Sequence, residues 1–364
     1  MVFRNMNMQN LLDYIENKTL ICFGAGQQLL SACVGYSDIS FFECIDLIAD
    51  NDTTKTVFFY NNQKKAVNTI DECLKLASKE PVILITVHDC VDVIDQLECI
   101  TKLQHSTCFI LTFVDSFIDP YKLPKNRAIK EHQIIPKIIH YCWFGGNPIP
   151  DSFVKCIDSW KKYCPDYEIV RWDESNYDYK KNEYMYEAYQ QKKWGFVPDY
   201  ARLDIVHEHG GVYMDTDVEL IRNIDDLLCD EAFCGFESRN HVNNGSGFGA
   251  KAGFLLLQEQ IMAYEKANFI NSDGSINLKT GPQYQTEHFL KKGLLLNNTL
   301  QLVDGMTVYP SDVLSPLSVG TGLLTLSENS YSIHNYAGTW LDTMQYQKKE
   351  RLLKRFKDIQ ALFK

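Results

Sequence analysis

The sequence has no apolar run near the roughly 20 residues that a membrane-spanning helix needs. Its first stretch, MVFRNMNMQNLLDYIENKTL, has no apolar core of the kind found in signal peptides, so we expect no secretion signal. The 12 cysteines form no CxxC pair, which argues against a disulfide framework and fits reduced thiols packed as small apolar residues. These absences predict a cytoplasmic protein that meets a membrane only peripherally, at its inner face.

Basic residues are also in short supply. The chain has 36 Lys and Arg against 47 Asp and Glu, which gives a formal net charge of −11. Nucleic-acid binding needs clusters of Lys and Arg for the phosphates, so we expect no nucleic-acid partner. Low-complexity tracts are absent, and 364 residues are long for one domain and natural for two.

Strands and helices alternate in the first part of the chain, which predicts a parallel α/β layer. Predicted strands cover 19–26, 43–50, 56–60, 81–87 and 107–113, and predicted helices cover 5–17, 69–79 and 93–103. The polar segment 119–133 contains two prolines and is typical of a linker. We expect a smaller Rossmann-like α/β domain of unknown role at 1–130 and a second α/β domain at 131–364.

A glycine turn, FGAGQQLL, follows the first long strand of the first domain. A dinucleotide-binding turn needs three glycines, and here Gly24 and Gly26 are present while the sixth position is Leu29. The incomplete motif favours an ordinary strand–helix turn, and a nicotinamide-dependent enzyme is the less favoured alternative.

The second domain has two acidic residues, Asp215 and Asp217, in the stretch GGVYMDTDVEL. If this stretch is a strand, both carboxylates lie on one face, where their repulsion calls for a cation or a proton. The alternative is a strand that runs into a polar turn. Other predicted strands cover 134–146 and 167–173, and a predicted helix covers 197–211.

Two further features lie close to this acidic pair in the sequence. Asp199 and Arg202 are three residues apart on the predicted helix and share a face; the alternative is a surface ion pair. Trp143 ends the first strand of the domain, at the sheet edge where α/β proteins bind ligands; the alternative is a core tryptophan.

Transfer from a nucleotide sugar is a chemistry that uses all three features. Carboxylates can hold a divalent cation, and the cation neutralises the departing diphosphate. An arginine adds positive charge at the phosphate or sugar, an aspartate accepts sugar hydroxyls, and an aromatic ring stacks on the base.

The motifs IPKIIHYCWFGG, PDYARLDIVHEHGGVYMDTDVE, TGPQY and SIHNYAGTW, in this order, resemble glycosyltransferase family 32. The first two resemble, more distantly, the catalytic domain of the clostridial glucosylating toxins. The resemblance spans about 134–340 and implies a GT-A-type nucleotide-sugar transferase domain, a divalent cation (Mn²⁺ or Mg²⁺) and retention of anomeric configuration.

The resemblance also implies roles for individual residues. The implied catalytic residues are Asp199, Arg202, Asp215 and Asp217. The implied donor-binding residues are Cys142, Trp143, Tyr213, Asn244, Thr339 and Trp340. The implied metal ligands are Asp215, Asp217 and His334, and the alternative for His334 is a core histidine. Gln283 or Gln285 is placed on the acceptor side.

These observations predict a metal-dependent retaining hexosyltransferase. The expected donor is UDP-galactose or UDP-glucose, and the expected acceptor is a saccharide, free or lipid-linked, in surface or capsular polysaccharide synthesis. A GDP-mannose-dependent mannosyltransferase is the first alternative, and a non-catalytic sugar-binding or assembly protein is a more distant one. The sequence gives no oligomeric state.

The chain ends in a basic amphipathic segment, QKKERLLKRFKDIQALFK. Its apolar stripe consists of Leu352, Leu353, Phe356, Ile359 and Phe363. The stripe suits either an anionic membrane surface or packing on the protein core, and packing is the favoured interpretation.

Overall fold

The computed structural model describes residues 1–117, 132–238, 241–338, 341 and 343–363. The chain forms two compact units. The first unit comprises 1–119, 318–323 and 342–364, and the second comprises 120–317 and 324–341. The domain boundary expected at 130 lies outside the described residues. The C-terminal helix groups with the first unit, whereas the sequence analysis assigned it to the second domain.

The first unit is built on a seven-stranded sheet. Its strands are β1 (Val2–Phe3), β2 (Thr19–Phe23), β3 (Leu47–Ala49), β4 (Val57–Tyr60), β5 (Gln63–Asn68), β6 (Pro81–Ile85) and β7 (Thr107–Ile110). The order is β1-β7-β6-β2-β3-β5-β4, and all neighbours are parallel except β4 and β5. Strands β2, β6 and β7 are almost entirely buried and, apart from Thr19 and Thr107, apolar, because helices cover both faces of a parallel sheet.

The three helices that the sequence predicted in the first unit are present but shorter than predicted. The helices of this unit are α1 (Met8–Ile15), α2 (Gln27–Gly35), α3 (Phe41–Cys44), α4 (Ile70–Leu76), α5 (Val91–Glu98), α6 (Leu111–Asp115) and, at the C-terminal end, α13 (Thr343–Gln360). Strand β5 was missed because it is mostly polar, with adjacent lysines Lys64 and Lys65, and gives little apolar signal.

Packing holds the C-terminal helix α13 on the first unit. Leu352, Phe356 and Ile359 are buried in the core of that unit. The Phe356 ring lies 4.8 Å from the Phe113 ring, centroid to centroid. Arg355 pairs with Glu98 of α5 at 2.6 Å. The apolar stripe is therefore occupied by the protein's own core, as the packing interpretation expected.

The second unit is a mixed α/β layer. Its strands are β8 (Ile138–Cys142), β9 (Glu168–Trp172), β10 (Gly211–Tyr213), β11 (Val218–Leu220), β12 (Ala232–Ser238), β13 (His241–Val242), β14 (Phe248–Ala250), β15 (Gln301–Val303), β16 (Met306–Tyr309) and β17 (Ser332–His334). Its helices are α7 (Asp151–Tyr163), α8 (Glu183–Gln190), α9 (Pro198–His209), α10 (Leu255–Tyr264), α11 (Gly281–Lys291) and α12 (Ser311–Leu314).

The main sheet of the second unit runs in the order β15-β16-β12-β14-β10-β8-β9, with β13 beside β12. Strand β10 is parallel to β8 and antiparallel to β14. Strands β11 and β17 form a separate antiparallel pair. The α/β class, with a Rossmann-like sheet ahead of a second α/β layer, is confirmed.

Helix α7 fixes the short strand β11, which follows the acidic pair. The indole N–H of Trp160 donates to the Val218 carbonyl at 2.8 Å, and the Leu220 N–H donates to Ser159 Oγ at 2.8 Å. Trp160 is fully buried, so the chain directly after Asp217 is anchored to the core.

Among the described residues, no helix combines the length and apolar character that crossing a membrane requires.

Replacing Phe356 by Ala should lower the free energy of unfolding of the first unit by about 3–5 kcal/mol, because a fully buried ring leaves a cavity. Denaturant unfolding followed by far-UV circular dichroism measures this change. Arg351→Ala on the same helix is the matched control, since Arg351 and its partner Asp92 are largely exposed. Equal losses in the two variants would mean that charge pairs, not packing, hold α13.

Candidate active site

Helix α9 presents the charged pair of the site. Pro198 occupies its first turn, and Gly210, at φ +67°, ends it. Asp199 and Arg202 share a face as expected, but both are buried, with only 6% of each exposed. Arg202 Nη2 lies 3.1 Å from Asp199 Oδ1 and 3.5 Å from Asp215 Oδ1. The alternative of a surface ion pair is therefore wrong.

A buried histidine ties the end of α9 to the sheet. The indole N–H of Trp172 donates to His140 Nδ1 at 3.1 Å, so the proton of the neutral ring lies on Nε2. That Nε2 donates to the Gly210 carbonyl at 2.9 Å. Burial lowers the pKa of His140 to about 4, so the imidazole stays neutral and holds β8, β9 and α9 in register.

The two aspartates lie in the connection between β10 and β11, not in a strand. Strand β10 ends at Tyr213, Asp215 follows in an irregular segment, and Asp217 lies in a turn before Val218. The prediction that strand alternation aligns the two carboxylates is wrong. Like charges are disfavoured along a strand, and the turn instead lets each carboxylate find its own partners.

His334 completes a cluster of three potential metal ligands. Strands β11 and β17 pair Val218 with His334, which brings the ring to the acidic turn. His334 Nε2 lies 3.2 Å from Asp217 Oδ1. One ligand atom from each of Asp215, Asp217 and His334 falls within 4.8 Å of the others. Two carboxylates and an imidazole form a donor set that suits a divalent cation of the Mn²⁺ or Mg²⁺ type.

Asp217 and His334 shift each other's protonation. Burial alone would raise the pKa of Asp217, but the His334 ring and the Ala337 N–H outweigh burial and lower it to about 2. Burial alone would lower the pKa of His334, but Asp217 outweighs burial and raises it above its ordinary value. The other ring nitrogen, Nδ1, lies 2.9 Å from Ser246 Oγ, which fixes the ring plane.

Tyr213 lies beneath the site rather than facing solvent. Its hydroxyl donates to Asp215 Oδ1 at 3.1 Å, and the Arg202 guanidinium lies 5.1 Å from the centroid of its ring. The ring is almost fully buried. Tyr213 therefore orients Asp215 through a hydrogen bond and Arg202 through the face of its ring.

Asp199 has an unusual electrostatic environment. Burial raises the pKa of Asp199 to about 7, and Asp215 adds to this, while Arg202 opposes it. Two glycines make room for the carboxylates: a Cβ on Gly281 would lie 2.8 Å from Asp199 Oδ1, and one on Gly245 would overlap Asp215 Oδ2. Gly281 lies in the TGPQY motif, but sequence reasoning gave this glycine no role of its own.

The remaining predicted donor-binding residues have different surroundings. Cys142 is buried in the core cluster that contains Tyr213, and burial raises the pKa of its thiol to about 12. The indole N–H of Trp143 donates to the Asn147 carbonyl at 2.6 Å, and its ring packs edge-to-face on Phe153. Thr339 and Trp340 lie outside the described residues.

A pocket opens beside the Asp199–Arg202 pair. Its lining is formed by Asp199, Arg202, Leu203, Asn243, Asn244, Gln260, Ala263, Tyr264, Gly281, Tyr284, Gln285 and His288. Asn244 and Gln285 were among the predicted residues. Gln283 instead caps helix α11, accepting from the Thr280 N–H at 2.9 Å. Gln260 and Tyr264 were missed because α10 has no motif that marks them.

The glycine turn of the first unit has no open phosphate cradle at its central residue. The Ala25 N–H donates to Asp50 Oδ2 at 2.7 Å. The same carboxylate accepts from Lys55 Nζ at 3.0 Å. Dinucleotide binding uses such an N–H for phosphate and such an acid for ribose, and here the two satisfy each other. This geometry speaks against the nicotinamide alternative.

Part of the site lies in a stretch that matches a family model. Residues 150–234 match the family model described as "Glycosyltransferase sugar-binding region containing DXD motif". Inositol phosphoceramide mannosyltransferase 3 of Schizosaccharomyces pombe is 35% identical over 166 residues, which covers 44% of this chain and 46% of the relative. Mannosyl phosphorylinositol ceramide synthase CSH1 of Saccharomyces cerevisiae is 31% identical over 161 residues, covering 42% of each. The chain thus spans less than half the length of these relatives.

Two solved structures show weaker similarity. PaToxG glycosyltransferase matches with 16% identity and a TM-score of 0.34, over 44% of this chain and 70% of that chain. A glycosyltransferase involved in glycosylation of the major capsid of PBCV-1 matches with 12% identity and a TM-score of 0.32, over 60% of this chain and 99% of that chain.

The comparisons correct one expectation and confirm another. The predicted cytoplasmic location is wrong, since the curated relatives are named for mannosyl transfer to inositol phosphoceramide, a lipid that resides in membranes. The expected enzyme class is confirmed, since the curated relatives are named as mannosyltransferases or synthases of mannosylated lipids. The stretch that bears Asp199, Arg202, Asp215 and Asp217 lies within the residues that match the model of the DXD-containing glycosyltransferase sugar-binding region.

Proposed function

We propose that this chain is a metal-dependent mannosyltransferase, with the second unit as its GT-A-type catalytic domain and GDP-mannose as its donor. The observation that carries the proposal is the cluster of Asp215, Asp217 and His334 beside the buried Asp199–Arg202 pair and its pocket. The mannosyltransferase names of the curated relatives favour this donor over the UDP-hexose expected in the sequence analysis.

Each charged group has a distinct part in the proposed transfer. Asp215, Asp217 and His334 would hold a divalent cation, which supplies positive charge at the donor diphosphate. Arg202, fixed by two carboxylates, adds a second positive charge next to that cation site. Asp199 lines the pocket and accepts hydrogen bonds from hydroxyls of the donor sugar.

The transfer itself exchanges one bond at the anomeric carbon. The acceptor hydroxyl oxygen forms a bond to that carbon while the bond to the diphosphate oxygen breaks. The acceptor proton passes to the leaving diphosphate, so no protein nucleophile is required. Attack on the face that the diphosphate leaves retains the anomeric configuration.

The acceptor we propose is a hydroxyl of a lipid-linked head group. The relatives are named for inositol phosphoceramide, whose head group offers inositol hydroxyls. A capsular saccharide acceptor has no support from these names.

Thermal stability with GDP, UDP and NAD, each with and without Mn²⁺, tests the donor class, because a bound ligand raises the melting temperature. A shift with UDP alone would overturn the GDP-mannose assignment, and a shift with NAD alone would overturn the transferase.

Asp217→Asn should abolish the Mn²⁺-dependent part of the thermal shift and lower kcat/KM for transfer by about 100-fold or more, because the cation loses a charged ligand. Titration with Mn²⁺ and a transfer assay measure the two effects. The control is Asp158→Asn, which changes an exposed aspartate on α7 of the same unit. Unchanged Mn²⁺ binding in Asp217→Asn would remove this residue from the metal site.

Mn²⁺ affinity should fall about tenfold per pH unit below the raised pKa of His334, since only the neutral imidazole binds a metal. Above that pKa the affinity should be flat, because Asp217 stays ionised down to about pH 2. Isothermal titration between pH 5.5 and 8.5 checks the slope. His334→Gln should bind Mn²⁺ more weakly at pH 8 and should lose the slope. A slope that survives in His334→Gln would contradict the assignment.

A further inference from the structure

Three buried amide side chains form a chain that ends in the pocket. Asn244, Gln285 and Gln260 are each no more than 6% exposed. Gln285 Oε1 accepts from the backbone N–H of Asn244 at 2.8 Å. Gln285 Nε2 donates to Asn244 Oδ1, and Asn244 Nδ2 donates to Gln260 Oε1 at 3.5 Å. The three residues come from α10, α11 and the loop between β13 and β14.

The backbone N–H of Asn244 fixes the orientation of all three side-chain amides. A backbone N–H can only donate, so the Gln285 atom that faces it is the oxygen, and its NH₂ points to Asn244. Asn244 must then accept with its oxygen and donate with its NH₂, which makes the facing atom of Gln260 an oxygen. The NH₂ of Gln260 therefore points away from Asn244. The oxygen and nitrogen positions of all three side-chain amides follow from these hydrogen bonds.

The NH₂ of Gln260 has no hydrogen-bond partner among the residues that the structure describes. Gln260 lines the same pocket as Asp199 and Arg202, and this pocket is partly open to solvent. A buried N–H left unpaired destabilises a folded protein, and such groups are rare without a ligand or a water. The pocket thus offers a fixed donor from α10 and a carboxylate acceptor from α9.

We propose that Gln260 is a specificity-determining residue that donates a hydrogen bond to one hydroxyl oxygen of the donor hexose. This inference rests on the proposed function and deepens it by naming a residue that recognises the sugar. Asp199 accepts a hydrogen bond from a sugar hydroxyl in the same pocket. The hexose is therefore recognised by one hydrogen-bond donor, Gln260, and one hydrogen-bond acceptor, Asp199. Asn244 and Gln285 position Gln260 and need not touch the sugar.

Isothermal titration with Mn²⁺ present tests the proposal. The ligands are GDP, GDP-mannose and the four analogues of GDP-mannose that lack the 2-, 3-, 4- or 6-hydroxyl. The proteins are the wild type, Gln260→Met, which keeps the side-chain length without the NH₂, and Gln260→Glu, which keeps an oxygen for Asn244. The matched control is Gln258→Met, at an exposed position of the same helix.

We expect one deoxy analogue to bind the wild type about 5- to 100-fold more weakly than GDP-mannose, the range for a lost hydrogen bond at a buried polar group. Gln260→Met should bind GDP-mannose more weakly by a similar factor, show no further loss with that analogue, and bind GDP as the wild type does. Gln260→Glu should lose affinity for GDP-mannose selectively, and Gln258→Met should behave as the wild type.

Unchanged GDP-mannose binding in both Gln260 variants would overturn this inference and leave the proposed function standing. Equal losses for GDP and GDP-mannose would also overturn it, because they indicate a structural role. A wild type that binds GDP-mannose no more tightly than GDP would instead overturn the assignment of GDP-mannose as donor.

Discussion

The candidate site depends on one buried cation, the guanidinium of Arg202. It lies 3.1 Å from Asp199, 3.5 Å from Asp215 and over the ring of Tyr213. A charge removed from water is stabilised only by close partners, and a partner left alone becomes a strong destabilising centre. Helix α9 and the turn after β10 are therefore held together by the same side chain that adds positive charge to the site.

Arg202 does not balance the acids by itself. Asp199, Asp215 and Asp217 bring three carboxyl groups to a small volume, against one guanidinium and one imidazole. Two pKa shifts relieve this: burial and Asp215 raise the pKa of Asp199, and Asp217 raises the pKa of His334 against the effect of burial. In the proposed function a divalent cation would supply positive charge to these carboxylates, and its binding would displace the proton from His334.

The sequence predicted the pair on α9 because helical spacing is a local property, but burial of that pair depends on elements distant in the chain. The strand interpretation of Asp215 and Asp217 failed because a turn of a few residues leaves no periodic signal. His334 reaches Asp217 through the pairing of β11 with β17, a non-local contact that only the family resemblance indicated. The hydrogen-bonded amides of Asn244, Gln285 and Gln260 could not be predicted from the sequence, since single amide residues on helices and in a loop form no recognisable pattern.

Gly245 and Gly281 show how far the carboxylates of the site constrain the backbone around them. Neither has the positive φ that would demand glycine for conformational reasons. Each instead lies where a methyl group would press on a carboxylate, Asp215 in one case and Asp199 in the other. A stability argument alone would prefer alanine over glycine in the first turn of α11, where Gly281 lies. The glycines are explained by the carboxylates for which they leave space, so the surrounding backbone accommodates the acids.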